Sequence, residues 1–108
     1  MKFSERVYQL CRRIPKGKIS TYKNIGDKLG IKSYRAVGQA LRKNPSPVST
    51  PCHRVVKSDG KIGGFKGKTS GRGIKEKIKL LGKEGVKVRN SKVVDFEKVL
   101  YKFKDIKD

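Results

Sequence analysis

Apolar residues at Phe3, Val7, Leu10, Cys11 and Ile14 recur at the spacing of one helix face, and Pro15-Lys16-Gly17 ends the run. The chain therefore opens on an amphipathic helix, with Ser4 placed to cap it and Cys11 turned into the core as a small buried hydrophobe. A second helix is expected over Tyr22 to Leu29, capped by Ser20 or Thr21, with Ile25 and Leu29 inward and Gly30 as its stop. A third follows from Tyr34 to Lys43 with Ser33 as cap. Its apolar stripe is Val37, Ala40 and Leu41; Arg35, Gln39, Arg42 and Lys43 lie off it, and Asn44-Pro45 closes the element. Two short helices across a glycine-containing turn form a helix-turn-helix candidate, although any pair of short packed helices gives the same pattern.

Asn44 to Thr50 carries Pro45 and Pro47 and has no period, so it reads as an ordered loop. It leads into Pro51-Cys52-His53-Arg54-Val55-Val56. The run Lys57-Ser58-Asp59-Gly60-Lys61 reads as a turn between short extended stretches at Val55-Val56 and around Ile62, which predicts a small hairpin there. Gly63 through Gly73 is rich in glycine and cations and predicts a basic loop. A further helix places Ile74, Ile78 and Leu81 inward and stops at Gly85. Beyond Val86, the residues Val93, Phe96, Val99, Leu100 and Phe103 return to helical spacing and predict an amphipathic helix packed on the body. No internal repeat is visible. The expected architecture is mainly α: a small winged-helix-like domain with a helix-turn-helix, a short β-hairpin and a C-terminal helix. Residues 1–86 form its body and residues 87–108 a basic tail on the same domain.

A length of 108 residues suits one domain with a modest core. Charge sharpens the picture. With 29 Lys+Arg against 9 Asp+Glu the net charge is +20, a field that favours nucleic acid as partner. No apolar run approaches the roughly 20 residues of a membrane span, and MKFSERVYQL lacks the apolar stretch of a secretory signal. Cys11 and Cys52 are far apart and outside any CxxC pair, so an intracellular, reducing setting is expected and neither zinc nor a disulfide framework is suggested.

Cys52 and His53 adjoin each other, either as a nucleophile beside its base or as an accidental dipeptide around a buried structural cysteine. A bend after Pro51 would let the imidazole approach the thiol directly or through a water. Glu84 stands at the expected C-terminus of a helix, where a negative charge is mildly unfavourable and asks for a partner. Two other motifs fail. Gly67-Lys68-Thr69 ends like a phosphate-binding loop, but Ile62 stands where that motif needs glycine. The Cys52-His53 pair lacks the further ligands a metal would need.

Several strings, in order, carry a resemblance. Pro51-Cys52-His53-Arg54-Val55 resembles the active-site signature of the O6-alkylguanine-DNA alkyltransferases. Arg35-Ala36-Val37-Gly38 and Asn44-Pro45 stand at matching distances before it; Gly63-Gly64-Phe65 and Lys77-Ile78-Lys79-Leu80-Leu81 to Glu84-Gly85 follow it. The likeness spans about residues 3 to 86. It implies that Cys52 accepts an alkyl group from guanine O6 irreversibly and once per molecule, with no cofactor or metal. His53 is implied as the base acting through a water, Glu84 as the carboxylate orienting it, and Tyr22 as the hydroxyl stabilising the departing guanine.

On the same likeness Arg35 fills the duplex where the flipped base was, and the small Ala36 and Gly38 let the helix enter the minor groove of double-stranded DNA. Arg42 and Lys43 join that DNA-binding face. Asn44 ties the helix-turn-helix to the active-site loop, and the Val55 carbonyl accepts from the guanine amine. Phe65 and Lys66 depart from the Tyr-Ser frequent in the family, so the pocket serine hydroxyl is missing. A monomer working in the cytoplasm is expected. The competing expectations are a related protein that binds the lesion without removing it, and a sequence-specific helix-turn-helix regulator.

Overall fold

In the computed structural model, which describes residues 2–46, 48–65 and 71–103, helix α1 runs Phe3–Arg13 and buries Val7, Leu10 and Cys11. The spacing predicts that face. It does not begin at Ser4: the Arg6 N–H bonds to the Lys2 carbonyl at 3.2 Å, which draws Phe3 and Ser4 into the first turn and leaves Ser4 without a capping role. Arg12 and Arg13 occupy the last turn, where cations suit the helix dipole.

Helices α2 (Tyr22–Lys28) and α3 (Tyr34–Arg42) make the helix-turn-helix. Thr21, extended at φ −127°, accepts from the Asn24 N–H at 2.9 Å, and the Ser33 hydroxyl accepts from the Ala36 N–H at 3.2 Å. Gly30 turns the chain at φ +74°. The helices approach so closely at Gly26 that an added Cβ would lie 2.7 Å from the Tyr34 ring, and the Tyr34 hydroxyl donates to Asp27 at 2.9 Å across the same junction. Thr21→Ala removes the α2 cap acceptor and is expected to cost about 1 kcal/mol, with Thr21→Ser recovering most of it. Urea midpoints check this; an unshifted midpoint for the alanine variant shows that the hydroxyl does not cap the helix.

Strand β1 (Ser20–Thr21) pairs in parallel with β2 (Val55–Val56), in the register Ser20↔Val55 and Thr21↔Val56. This corrects the predicted hairpin. The turn itself forms, closed by Lys57 N–H to Lys61 carbonyl at 2.9 Å with Gly60 at φ +89°, but its arms do not zip together. Val55 and Val56 are both fully buried, so their strand pairs inward with β1, and Lys61 bridges to Lys92 instead. The hairpin of this fold is β3 (Val88–Arg89) with β4 (Lys92–Val93), turning through Asn90 and Ser91, both at positive φ.

Helix α4 (Arg72–Lys83) buries Gly73, Lys77 and Leu81, so of the predicted inward residues Leu81 is buried while Ile74 and Ile78 are only partly so, and it ends before Gly85, at φ +88°. The tail is corrected as well. Its helix α5 is the single turn Phe96–Val99, entered through a left-handed Asp95 and preceded by the hairpin. A hairpin followed by one turn presents Val93, Phe96, Val99 and Leu100 to the body as well as a long helix would, so the apolar spacing does not separate the two. The result is a mainly α, winged-helix-like domain with two apolar clusters. One surrounds Val7, Ile25, Val37, Cys52 and Phe65; the other gathers Ile19, Val56, Ile62, Leu81 and Val93.

Candidate active site and the outer face of the third helix

Between α3 and β2 the chain must turn a short loop into the core without stranding its backbone groups. Asn44 does this from the end of α3. Its side-chain amide donates to the Thr50 carbonyl at 2.9 Å and its oxygen accepts from the Ser46 N–H at 3.0 Å. The Arg12 guanidinium holds the Thr50 hydroxyl at 3.1 Å. Beyond Pro51 a single 3-10 turn, Cys52–Arg54, closes through Arg54 N–H to Pro51 carbonyl at 2.9 Å. That turn rolls Cys52 and His53 into the interior, at 7% and 1% exposure.

His53 Nε2 lies 3.2 Å from Glu84 Oε1, while Nδ1 is buried and has no hydrogen-bond partner among the described residues. The predicted need of Glu84 for a partner is met twice over. Arg54, which sequence reading passed over, grips it in bidentate fashion, Nε to Oε1 at 2.9 Å and NH2 to Oε2 at 2.7 Å, and its NH1 donates to the Ile14 carbonyl at 2.7 Å. Burial alone would raise the Glu84 carboxyl, but hydrogen bonds from Arg54 and His53 outweigh it and hold its pKa below the ordinary value. Burial lowers the His53 pKa more than Glu84 raises it, which favours the neutral ring. The ring meets Phe65 edge-on at 6.4 Å.

Cys11 does not compete with Cys52. Burial, and then the neighbouring Cys52, push its thiol up to about 12, so it stays protonated and inert. The Tyr22 phenol is likewise pushed up to about 12 by burial and the two thiols, and remains a donor. A Cβ at Gly63 would stand 3.1 Å from the Tyr22 hydroxyl, so the glycine, at φ +69°, keeps space open beside it. A cleft of about 460 Å³ opens there, lined by Tyr22, Lys57, Ile62, Gly63, Gly64 and Ser91.

Lys77 is the larger surprise. It is fully buried, and its Nζ donates to the Val55 carbonyl at 2.7 Å, the Gly64 carbonyl at 2.9 Å and the Ile62 carbonyl. Burial pushes the amine down to about 7, while Cys52 and Cys11 push it up. Three acceptors require three N–H donors, which the ammonium form alone supplies. The signal was present in the sequence: Lys77 falls on the inward face of α4 between Ile74 and Leu81. The Val55 carbonyl, assigned by resemblance to the guanine amine, thus already accepts one bond and keeps a second lone pair.

On α3, Arg35, Arg42 and Lys43 are exposed, and Ala36 and Gly38 are half-buried on the outer face. Nothing lies within 4 Å of a Cβ built at Gly38, so the helix surface there is bare. Lys66 and the loop after it lie outside the described residues. Among the described residues no group of three His, Cys, Asp or Glu side chains gathers, and no helix is long and apolar enough to cross a membrane.

Residues 2–86 match the family model described as 6-O-methylguanine DNA methyltransferase, DNA binding domain. A methylated-DNA–protein-cysteine methyltransferase of Saccharolobus islandicus (strain M.16.27) is 50% identical over 86 residues, which are 80% of this chain and 52% of that protein. The chain thus spans about half the length of the curated relatives it matches. Among solved structures, the O6-methylguanine-DNA methyltransferase of Pyrococcus kodakaraensis KOD1 is 40% identical at a TM-score of 0.69, over 80% of this chain and 47% of that one. S. pombe Atl1, solved with damaged DNA containing O6-carboxymethylguanine, is 30% identical at a TM-score of 0.75, over 94% of this chain and 99% of that one.

Proposed function

The chain belongs to the family of the 6-O-methylguanine DNA methyltransferase DNA-binding domain, and from that we propose that it repairs DNA by direct reversal, taking the alkyl group of an O6-alkylguanine onto Cys52. The observation that carries the reading is the Cys52-His53-Glu84 arrangement. A neutral, buried imidazole turns Nε2 to a carboxylate and leaves Nδ1 free to take a proton.

In the proposed step, His53 Nδ1 draws the thiol proton, through a water, and Cys52 Sγ attacks the alkyl carbon. The C–S bond forms as the C–O6 bond breaks, and the bonding pair returns to guanine. The Tyr22 hydroxyl donates to the guanine ring nitrogen as negative charge develops there. Glu84 stabilises the imidazolium, and Arg54 keeps the carboxylate in place. A thioether has no hydrolytic exit, so one molecule acts once.

The target atom is sheltered in stacked duplex, so the nucleotide is flipped at a cost of a few kcal/mol. Arg35 fills the gap by stacking its planar guanidinium, with α3 in the minor groove and Arg42 and Lys43 on flanking phosphates. The Val55 carbonyl accepts the guanine amine, Phe65 walls the alkyl pocket, and a Lys66 backbone N–H serves O6 where a serine hydroxyl is lacking. The protein acts as a monomer on double-stranded DNA inside the cell, needs no cofactor, and its binding weakens steeply with salt, as a net charge of +20 requires.

The test is intact mass and peptide mapping after incubation with a duplex carrying one O6-methylguanine. One added methyl on the Cys52 peptide is expected, and none after incubation with the undamaged duplex. A second reading, lesion binding without transfer, draws on the nearly whole-length likeness to S. pombe Atl1. Unchanged mass together with preferential binding of the lesion duplex would establish it in place of the first.

A further inference from the structure

The family match ends at residue 86, yet the chain beyond it lends Ser91 to the lining of the cleft and is bonded to the segments that lead into Tyr22 and into Gly63. On the glycine side, Lys92 bridges Lys61, the Ile62 N–H donates to the Ser91 carbonyl at 3.0 Å, and the Val93 N–H donates to the Gly60 carbonyl at 2.9 Å. The Phe96 side chain lies against Gly60, 3.6 Å from where a Cβ would be. Residues 60–62 are therefore gripped from outside by the hairpin and from inside by Lys77, immediately before Gly63-Gly64-Phe65.

The same segment reaches the tyrosine side. The Ile19 N–H donates to the Val99 carbonyl at 2.9 Å, the Tyr101 N–H to the Ile19 carbonyl at 2.7 Å, and the Ser20 hydroxyl to the Tyr101 carbonyl at 2.7 Å. Leu100 thus adds a third extended segment beside β1, one residue before the strand that delivers Tyr22. Phe103 then enters the apolar cluster that holds Cys52. Strands of two residues specify spacing poorly by themselves. A single connected segment holding residues 19–20 at one end and 60–62 at the other fixes the two relative to each other.

We propose that residues 88–103 are a positioning clamp for the lesion pocket, setting the place of Tyr22 relative to Gly63 and Gly64 and so the fit of a flipped O6-alkylguanine. The proposal rests on the lesion-binding reading, whether or not transfer follows. Its most direct contacts are Ser20 with the Tyr101 carbonyl and Phe96 on Gly60, neither of which touches the base.

The test uses the full chain carrying Ser20→Ala with Phe96→Ala, assayed well below its own melting midpoint. Affinities for a duplex with one O6-methylguanine and for the same undamaged duplex are measured, with Cys52 alkylation by iodoacetamide alongside. The ratio of lesion to undamaged affinity is expected to fall about tenfold, as misplaced contacts in a tight site cost, while undamaged affinity and the iodoacetamide rate stay within about twofold. The conservative pair Ser20→Thr with Phe96→Leu is expected to restore the ratio. An unchanged ratio, or equal losses on both duplexes, overturns the clamp. A wild-type protein that does not prefer the lesion duplex overturns the lesion reading and the clamp's assignment together, and is distinguishable because it appears before any variant is made.

Discussion

Cys52→Ala is expected to abolish alkyl transfer completely while leaving lesion binding in place. In the proposed transfer the sulfur is the acceptor atom, so its loss removes the bond-forming partner rather than slowing a step. No second thiol takes over: Cys11 is fully buried on α1 and its thiol is pushed up to about 12. The fold should tolerate the change, since one buried heavy atom is worth about 1 kcal/mol and the turn that carries it is closed by backbone bonds. The groups proposed to bind the lesion, Tyr22, Arg35 and the lining of the cleft, are untouched. Peptide mapping after incubation with lesion duplex checks the first half, and titration of the same variant with lesion and undamaged duplex checks the second. A methyl group found on the alanine variant would remove Cys52 from the acceptor role.

What the sequence made legible was local. The helix-turn-helix could be read because its determinants sit within three residues of the groups they satisfy: Thr21 caps Asn24, Ser33 caps Ala36, and Gly30 alone relieves the left-handed turn. The site could be read only through resemblance. Cys52 and His53 as a dipeptide are ambiguous, and Glu84, 31 positions from His53, acquires meaning once the fold brings them together. Backbone acceptors leave no mark in a sequence, which is why Lys77 was missed: its partners are three carbonyls, and only its place on an apolar helix face hinted at burial. The tail was misread for a different reason. Apolar spacing reports which residues face inward, whereas the left-handed Asn90, Ser91 and Asp95 decide how the backbone takes them there.

These two kinds of information meet in the four residues Ile14, His53, Arg54 and Glu84. Arg54 links the end of α1 to the end of α4 through one guanidinium, bonding the Ile14 carbonyl and both Glu84 oxygens. The carboxylate so held also lies 3.2 Å from His53 Nε2. The proposed relay is thus built into the packing of two helices, and its electrostatics and its stability change together.

Glu84→Gln should expose that coupling. The amide keeps the shape but loses the charge, leaving the Arg54 guanidinium, 11% exposed, with one carbonyl and a neutral partner. Breaking a buried pair by removing one charge costs about 3–5 kcal/mol, and partial access to water brings the expectation here to about 2–4 kcal/mol. His53 loses the carboxylate that raises its pKa, so burial lowers it further, and the base weakens. The transfer rate is expected to fall by about 10²–10⁴-fold, the usual share of positioned base catalysis.

The pH dependence has a definite sign. In the wild type, the His53 pKa lies below 6.5, so the single-turnover rate should be level at neutral pH and fall as acid protonates the ring below that value. The Glu84 pKa lies below 4.5, so its stabilising contribution is fully present above about 4.5 and is lost as pH falls through the folded value. The glutamine variant should lack that acid-labile share, its urea midpoint falling less between pH 5 and pH 3 in the window set by these shifts. Single-turnover rates and urea midpoints across pH test both halves. A variant that transfers at the wild-type rate and loses stability in acid as steeply as the wild type would show that Glu84 neither orients His53 nor anchors Arg54.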